Sequence, residues 1–92
     1  DGIMIVVLGL DSATGQLVSG PDLVSRGFVY VKESDELMEE ARALMTNVLD
    51  NCIGRGCSDW GKIKSTVKDS LGDFIWKKTK RRPMILPIIM EV

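Results

Sequence analysis

Ile3 to Leu10 are almost continuously apolar and rich in β-branched residues, the pattern of a strand buried on both faces rather than one with a solvated side. Asp11-Ser12-Ala13-Thr14-Gly15-Gln16 is a turn cluster, which predicts that a second strand, about Leu17 to Ser19, pairs back as a hairpin. Gly20-Pro21-Asp22 reads as an interruption of that strand. Ser25-Arg26-Gly27 then precedes Phe28-Val29-Tyr30-Val31, whose aromatic and β-branched side chains predict a third. Helical periodicity follows. Ser34 is placed as an N-cap, with Asp35 and Glu36 in the first turn where the helix dipole favours negative charge. Leu37, Met38, Ala41, Leu44, Met45, Val48, Leu49 and Cys52 form one apolar stripe, and Glu39, Glu40 and Arg42 fall off it as a solvated face.

Gly54 should stop this helix, and Ser58 or Asp59 should cap a second one from Trp60 to about Lys78. Trp60, Ile63, Val67, Leu71, Phe74 and Ile75 share a face of it, and Gly72 is tolerable inside it if a neighbouring element must approach closely. After Pro83, Met84 to Val92 reads as a last strand that Pro87 assigns to an edge or a bulge. The order β-β-β-α-α-β predicts a small two-layer α/β sandwich, a mixed sheet of three to four strands with two helices on one face. The first and last strands are apolar on both faces, yet two helices cover only one. The other sheet face is therefore expected to meet a surface from outside this chain.

A chain of 92 residues with 45% hydrophobic content suits one small domain and one core. No apolar run reaches the roughly 18 residues of a membrane span, and the opening Asp1-Gly2 lacks the positive region of a signal peptide, so a cytoplasmic location is expected. The missing initiator methionine predicts a segment of a longer protein. Histidine is absent, which removes the commonest metal ligand and general base. Cys52 and Cys57 have neither the spacing nor a second pair for a zinc site; reduced structural thiols are expected, with a small-loop disulfide the alternative. No catalytic and no metal-binding residue is assigned. Net charge is −1, but Asp1 to Gly54 holds nine acids and three bases whereas Arg55 to Val92 holds four acids and nine bases. Two oppositely charged regions are ordinary in a folded domain, and they also suit a nucleic-acid contact or a head-to-tail complement.

Gly54-Arg55-Gly56 matches no phosphate-loop pattern and joins two helices rather than following a strand, so it is a loop without chemistry. Lys77, Lys78, Lys80, Arg81 and Arg82 place five bases in six residues beside Trp76. Such a cluster can grip a phosphate backbone while the indole stacks a base. It can equally satisfy the helix C-terminus and cover apolar surface, with Trp76 anchoring an interface. The second use is favoured, and RNA contact through Arg26 and residues 77–82 stays open.

Ser25-Arg26-Gly27-Phe28-Val29-Tyr30 leading to Glu33-Ser34, then Asp59-Trp60 with Ile63-Lys64, then Lys78-Thr79-Lys80-Arg81-Arg82-Pro83-Met84-Ile85-Leu86-Pro87-Ile88-Ile89-Met90-Glu91-Val92 together resemble the C-terminal domain of bacterial ribonuclease J. The resemblance spans essentially the whole chain, and it makes Val92 the expected natural C-terminus. It implies a parent with a metallo-β-lactamase core and an inserted β-CASP domain, acting 5′ to 3′ and endonucleolytically in RNA processing and decay. Two zinc ions activate water in such a parent. None of the zinc-binding motifs matches a position here, so the implied cofactor is bound elsewhere. The implied partners are the parent's own catalytic domains and a second subunit, in a homodimer or tetramer, with RNA reached through the parent and no membrane.

Overall fold

A computed structural model describes residues 2–27, 31–56 and 59–92, with side chains in the first helix described from residue 35 onward. The chain runs β1 (Ile3–Leu10), β2 (Leu17–Arg26), α1 (Val31–Gly54), α2 (Trp60–Thr79) and β3 (Met84–Glu91). The sheet order is β2-β1-β3, with β1 antiparallel to β2 and parallel to β3. The apolar β1 thus takes the centre, and β3, carrying Pro87, takes an edge as its missing N–H requires. Backbone bonds from Met84 N–H to the Gly2 carbonyl (2.9 Å) and from Val92 N–H to the Leu10 carbonyl (2.9 Å) close the two ends of the β1–β3 pairing.

Both helices lie on one face of this mixed sheet, α1 against β2 and α2 against β3. Side chains alternate along β1, so Met4, Val6, Leu8 and Leu10 point into the core with Leu23 of β2. Ala41, Met45 and Leu49 meet them from α1, and Ile63, Val67, Leu71 and Ile75 meet them from α2. Each set recurs every four residues, the spacing that keeps one helix face inward. Leu37, Met38, Leu44, Val48, Cys52 and Phe74 pack half-buried around that centre. Across the helix pair Lys78 reaches Glu40 at 3.2 Å, so part of the charge asymmetry is spent between neighbouring helices.

Three expectations change. Gly20-Pro21 does not break the second strand: β2 continues through it for ten residues. Gly20 adopts φ +83° and the pairing shifts register between Val7 and Gly9, so the irregularity is absorbed by the ladder instead of ending it. Val31, placed above in a third strand, opens α1, and Ser34 lies within that helix rather than at its cap; tertiary packing of the long apolar stripe outweighs the local β-propensity. Residues 28–30 of that third strand lie outside the described residues, as does Cys57 of the possible disulfide. Trp60 is 38% exposed instead of joining the core face. It stands at the first helical position, where α2 has only just begun, and lines an open recess with Leu10, the Asp11–Gly15 turn and Glu91.

Asp59 caps α2, accepting from the Gly61 N–H at 2.9 Å. Asp11 holds the β1–β2 turn, accepting from the Ala13 and Thr14 N–H groups at 2.7 and 3.0 Å, and those bonds hold its carboxyl below its usual pKa. Gly72 is not sterically obligatory. A Cβ built there meets Ile85 Cδ1 at 3.6 Å, an ordinary contact. Gly72→Ala should therefore stabilise the fold by about 0.5–1 kcal/mol through helix propensity, raising the melting temperature by about 3–6 °C. A calorimetric scan with a lowered midpoint would show that α2 and β3 approach more closely than this contact indicates.

Candidate functional site

The outer face of the sheet, away from the helices, is built by the residues that alternate with the core set. Strand pairing arranges them in rows: Arg26–Ile3–Met84, Val24–Ile5–Leu86, and Asp22–Val7–Ile88, with Met90 continuing β3 beyond. Val24, Met84, Leu86, Ile88 and Met90 are between 38% and 67% exposed, and Ile3, Ile5 and Val7 are half-buried only by their neighbours on the same face. Soluble monomers rarely expose a contiguous apolar patch of this kind. The sequence pattern required such a face, and the register identifies it: Ile3, Ile5 and Val7 look outward while Met4, Val6 and Leu8 look to the helices. On β3, Leu86, Ile88 and Met90 look outward, and Ile85 and Ile89 pack against the core.

Val24, Met84 and Asp22 belong to this face but were not singled out in the sequence. The alternation Asp22-Leu23-Val24-Ser25-Arg26 carries the signal, hidden by reading Gly20-Pro21 as the end of a strand. Arg26, grouped above with the basic segment, stands on this outer face beside Ile3, not around Trp76.

The basic segment forms a separate cluster at the C-terminus of α2. Lys80 takes a left-handed conformation (φ 58°, ψ 31°) and its N–H donates to the Trp76 carbonyl at 2.8 Å. Thr79 Oγ1 donates to the Ile75 carbonyl and accepts from the Arg81 N–H, fixing the exit from the helix. The chain folds back, so that Arg82 lies 4.5 Å and Lys80 5.3 Å from the centre of the Trp76 ring. Each such contact contributes about 0.5–1 kcal/mol at an exposed site. Trp76, 38% exposed, is thus already engaged by its own chain's cations. Lys78 turns to Glu40 and lies 5.9 Å over Phe74, Arg81 is half-buried, and Lys77 is exposed. Of the seven residues singled out in sequence, Trp76, Lys80 and Arg82 come together; Lys77, Lys78 and Arg81 neighbour them along the chain, and Arg26 belongs elsewhere.

Among the described residues no group of three or more Cys, Asp or Glu side chains is disposed to hold a metal ion, and no helix is long and apolar enough to cross a membrane.

The family model described as the ribonuclease J C-terminal domain matches residues 1–92. Ribonuclease J2 of Bacillus subtilis is 46% identical over all 92 residues, which amount to 17% of its length. Ribonuclease J 2 of Staphylococcus epidermidis and ribonuclease J 2 of Streptococcus pyogenes are each 39% identical over the whole chain, covering 16% and 17% of their lengths. The chain spans about a sixth of these relatives.

Proposed function

Because the chain belongs to the ribonuclease J C-terminal domain family, we propose that it is the non-catalytic assembly domain of a cytoplasmic ribonuclease, joining that enzyme's subunits or docking on its catalytic body through the outer sheet face. The observation that carries this reading is the row pattern of apolar side chains on that face, opposite the helices. A central strand apolar on both sides is the mark of a sheet covered on both sides. The parent's reaction is proposed to be zinc-dependent hydrolysis of RNA, 5′ to 3′ and endonucleolytic. The chain lacks histidine, the commonest ligand for such a metal, and the family's zinc-binding motifs match no position in it, so that chemistry is assigned to other parts of the enzyme. The test is to place aspartate at Ile5 in the full-length ribonuclease and measure its sedimentation mass. A folded variant of reduced mass, or one of unchanged mass whose small-angle scattering shows the domain released from the catalytic body, supports the reading, and a folded variant unchanged in both overturns it.

The engagement of Trp76 by Lys80 and Arg82 supports a structural use of the basic cluster over base stacking. Replacing Lys77, Lys80 and Arg82 by alanine in the full-length enzyme should therefore leave the slope of RNA affinity against salt unaltered. Every phosphate of a bound single strand that is no longer neutralised flattens that slope by roughly 0.7. A flattening of about 1.4 or more, two such phosphates, would return the cluster to RNA binding.

A further inference from the structure

Trp60 holds a core-facing position of α2 with no core beneath it. It precedes Ile63 and Val67 at the spacing of the buried stripe, yet β1 ends at Leu10 and β3 at Glu91, and the indole is left 38% exposed. Glu91 is its counterpart on the sheet. Alternation along β3 puts Glu91 on the helix side with Ile85, Pro87 and Ile89, level with Leu10 of β1. A carboxylate thus stands where the core pattern calls for an apolar side chain. Trp60, Leu10, Glu91 and the Asp11–Gly15 turn enclose a recess of about 290 Å³.

Asp11 and Glu91 line this recess, and no lysine or arginine does. Neither acid takes part in an ion pair among the described residues. Asp11 is fixed in place, because its Oδ1 accepts from the Ala13 and Thr14 N–H groups, bonds that also favour its ionised form. Among the described residues no cation lies over the Trp60 ring, whereas Trp76 carries both Lys80 and Arg82. An indole beside two carboxylates is the complement of a planar cation: a guanidinium stacks on the ring while its N–H fork reaches the acids. A phosphate-bearing ligand is repelled by the same acids. The recess falls at the small end of ligand sites, about 300–1,000 Å³, so it has room for one side chain and not for a folded element. The chain makes up 16% to 17% of the relatives' length, so most of the surface that could fill the recess belongs to the rest of the same polypeptide. We propose that the recess binds an arginine side chain presented by the rest of the ribonuclease, its guanidinium stacked on Trp60 and paired with Asp11 and Glu91. This rests on membership of the family and not on the outer sheet face, which lies on the other side of the sheet.

The probe is Nα-acetyl-arginine amide, titrated at constant ionic strength into the isotope-labelled chain while its two indole N–H signals are followed by NMR, with Trp76→Phe to assign them. The Trp60 signal should shift to saturation. The citrulline analogue, neutral and of the same shape, should bind about tenfold more weakly, and the lysine analogue about threefold more weakly for want of a planar fork. Asp11→Asn keeps the acceptor that holds the turn, so the double variant D11N/E91Q should fold like the wild type and bind the arginine probe about tenfold more weakly. In the full-length enzyme, hydroxyl-radical footprinting should find Trp60 protected relative to the isolated chain, and D11N/E91Q should remove that protection. Equal binding of the arginine and citrulline probes, or of arginine and lysine, would overturn the proposal. So would an unaltered affinity in D11N/E91Q, Trp60 oxidised alike in the chain and the full-length enzyme, or protection that survives D11N/E91Q. Ile5 lies on the opposite face of the sheet, so the outcome of Ile5→Asp decides the outer-face reading separately from this one.

Discussion

Val6→Asp should leave the chain unfolded, whereas Ile5→Asp, one position away, should leave it folded and dissociated. Val6 has no exposed surface and sits between Leu23 and Pro87 on the face that meets the helices. A carboxylate there has no partner, and burying it costs several kcal/mol on top of the forfeited packing. Domains of this size hold a net stability toward the low end of 5–15 kcal/mol, so that single cost approaches the whole. Ile5 sits between Val24 and Leu86 on the outer face, where aspartate keeps its hydration in the free chain. The cost to the fold is then about 1 kcal/mol of strand preference. Far-UV circular dichroism with a thermal melt reads the first effect, and sedimentation reads the second. Two unfolded variants, or an Ile5→Asp chain that assembles normally, would remove the outer face as an interface.

That contrast marks where the sequence stops speaking. Period-two patterning requires both sets of β1 side chains to be covered, but it is symmetric between them. Only strand pairing breaks the symmetry, by placing Leu23 beside Val6 and Val24 beside Ile5. The helices were legible because Met38, Ala41, Met45 and Val48, and likewise Ile63, Val67, Leu71 and Phe74, recur at mixed intervals of three and four, which a period of two does not produce. Trp60 was misplaced for a related reason: periodicity assigns a face along a helix but not how far the core extends toward its end. The basic segment was legible as a cluster from composition. Its use was not, because the left-handed Lys80 that folds Arg82 over Trp76 leaves no signature in a lysine.

Gly20 shows the same limit from the backbone side, and its replacement should have the second largest effect. Glycine followed by proline ordinarily punctuates a strand, which is why β2 was expected to end there. In the structure Gly20 holds φ +83°, and a Cβ on it would lie 2.5 Å from the Val7 carbonyl oxygen and 3.1 Å from the Leu8 Cα. Both are backbone atoms of the central strand, so no side-chain rotation relieves the overlap. Gly20→Ala must both carry the left-handed strain, roughly 1–2 kcal/mol, and push β2 away from β1 where Val7 pairs with Asp22. Together these should cost about 3 kcal/mol and lower the melting temperature by about 12–20 °C. The damage should also be local. Amide exchange should accelerate first in residues 17–24 and in Val7 to Gly9, while α2 keeps its protection until global unfolding, because opening the register shift leaves the β1–β3 pairing and the packing of α2 on β3 in place. A Gly20→Ala chain as stable as the parent would mean that β2 slides past Val7 freely. The rows that set Asp22 and Arg26 on the outer face would then lose their fixed register.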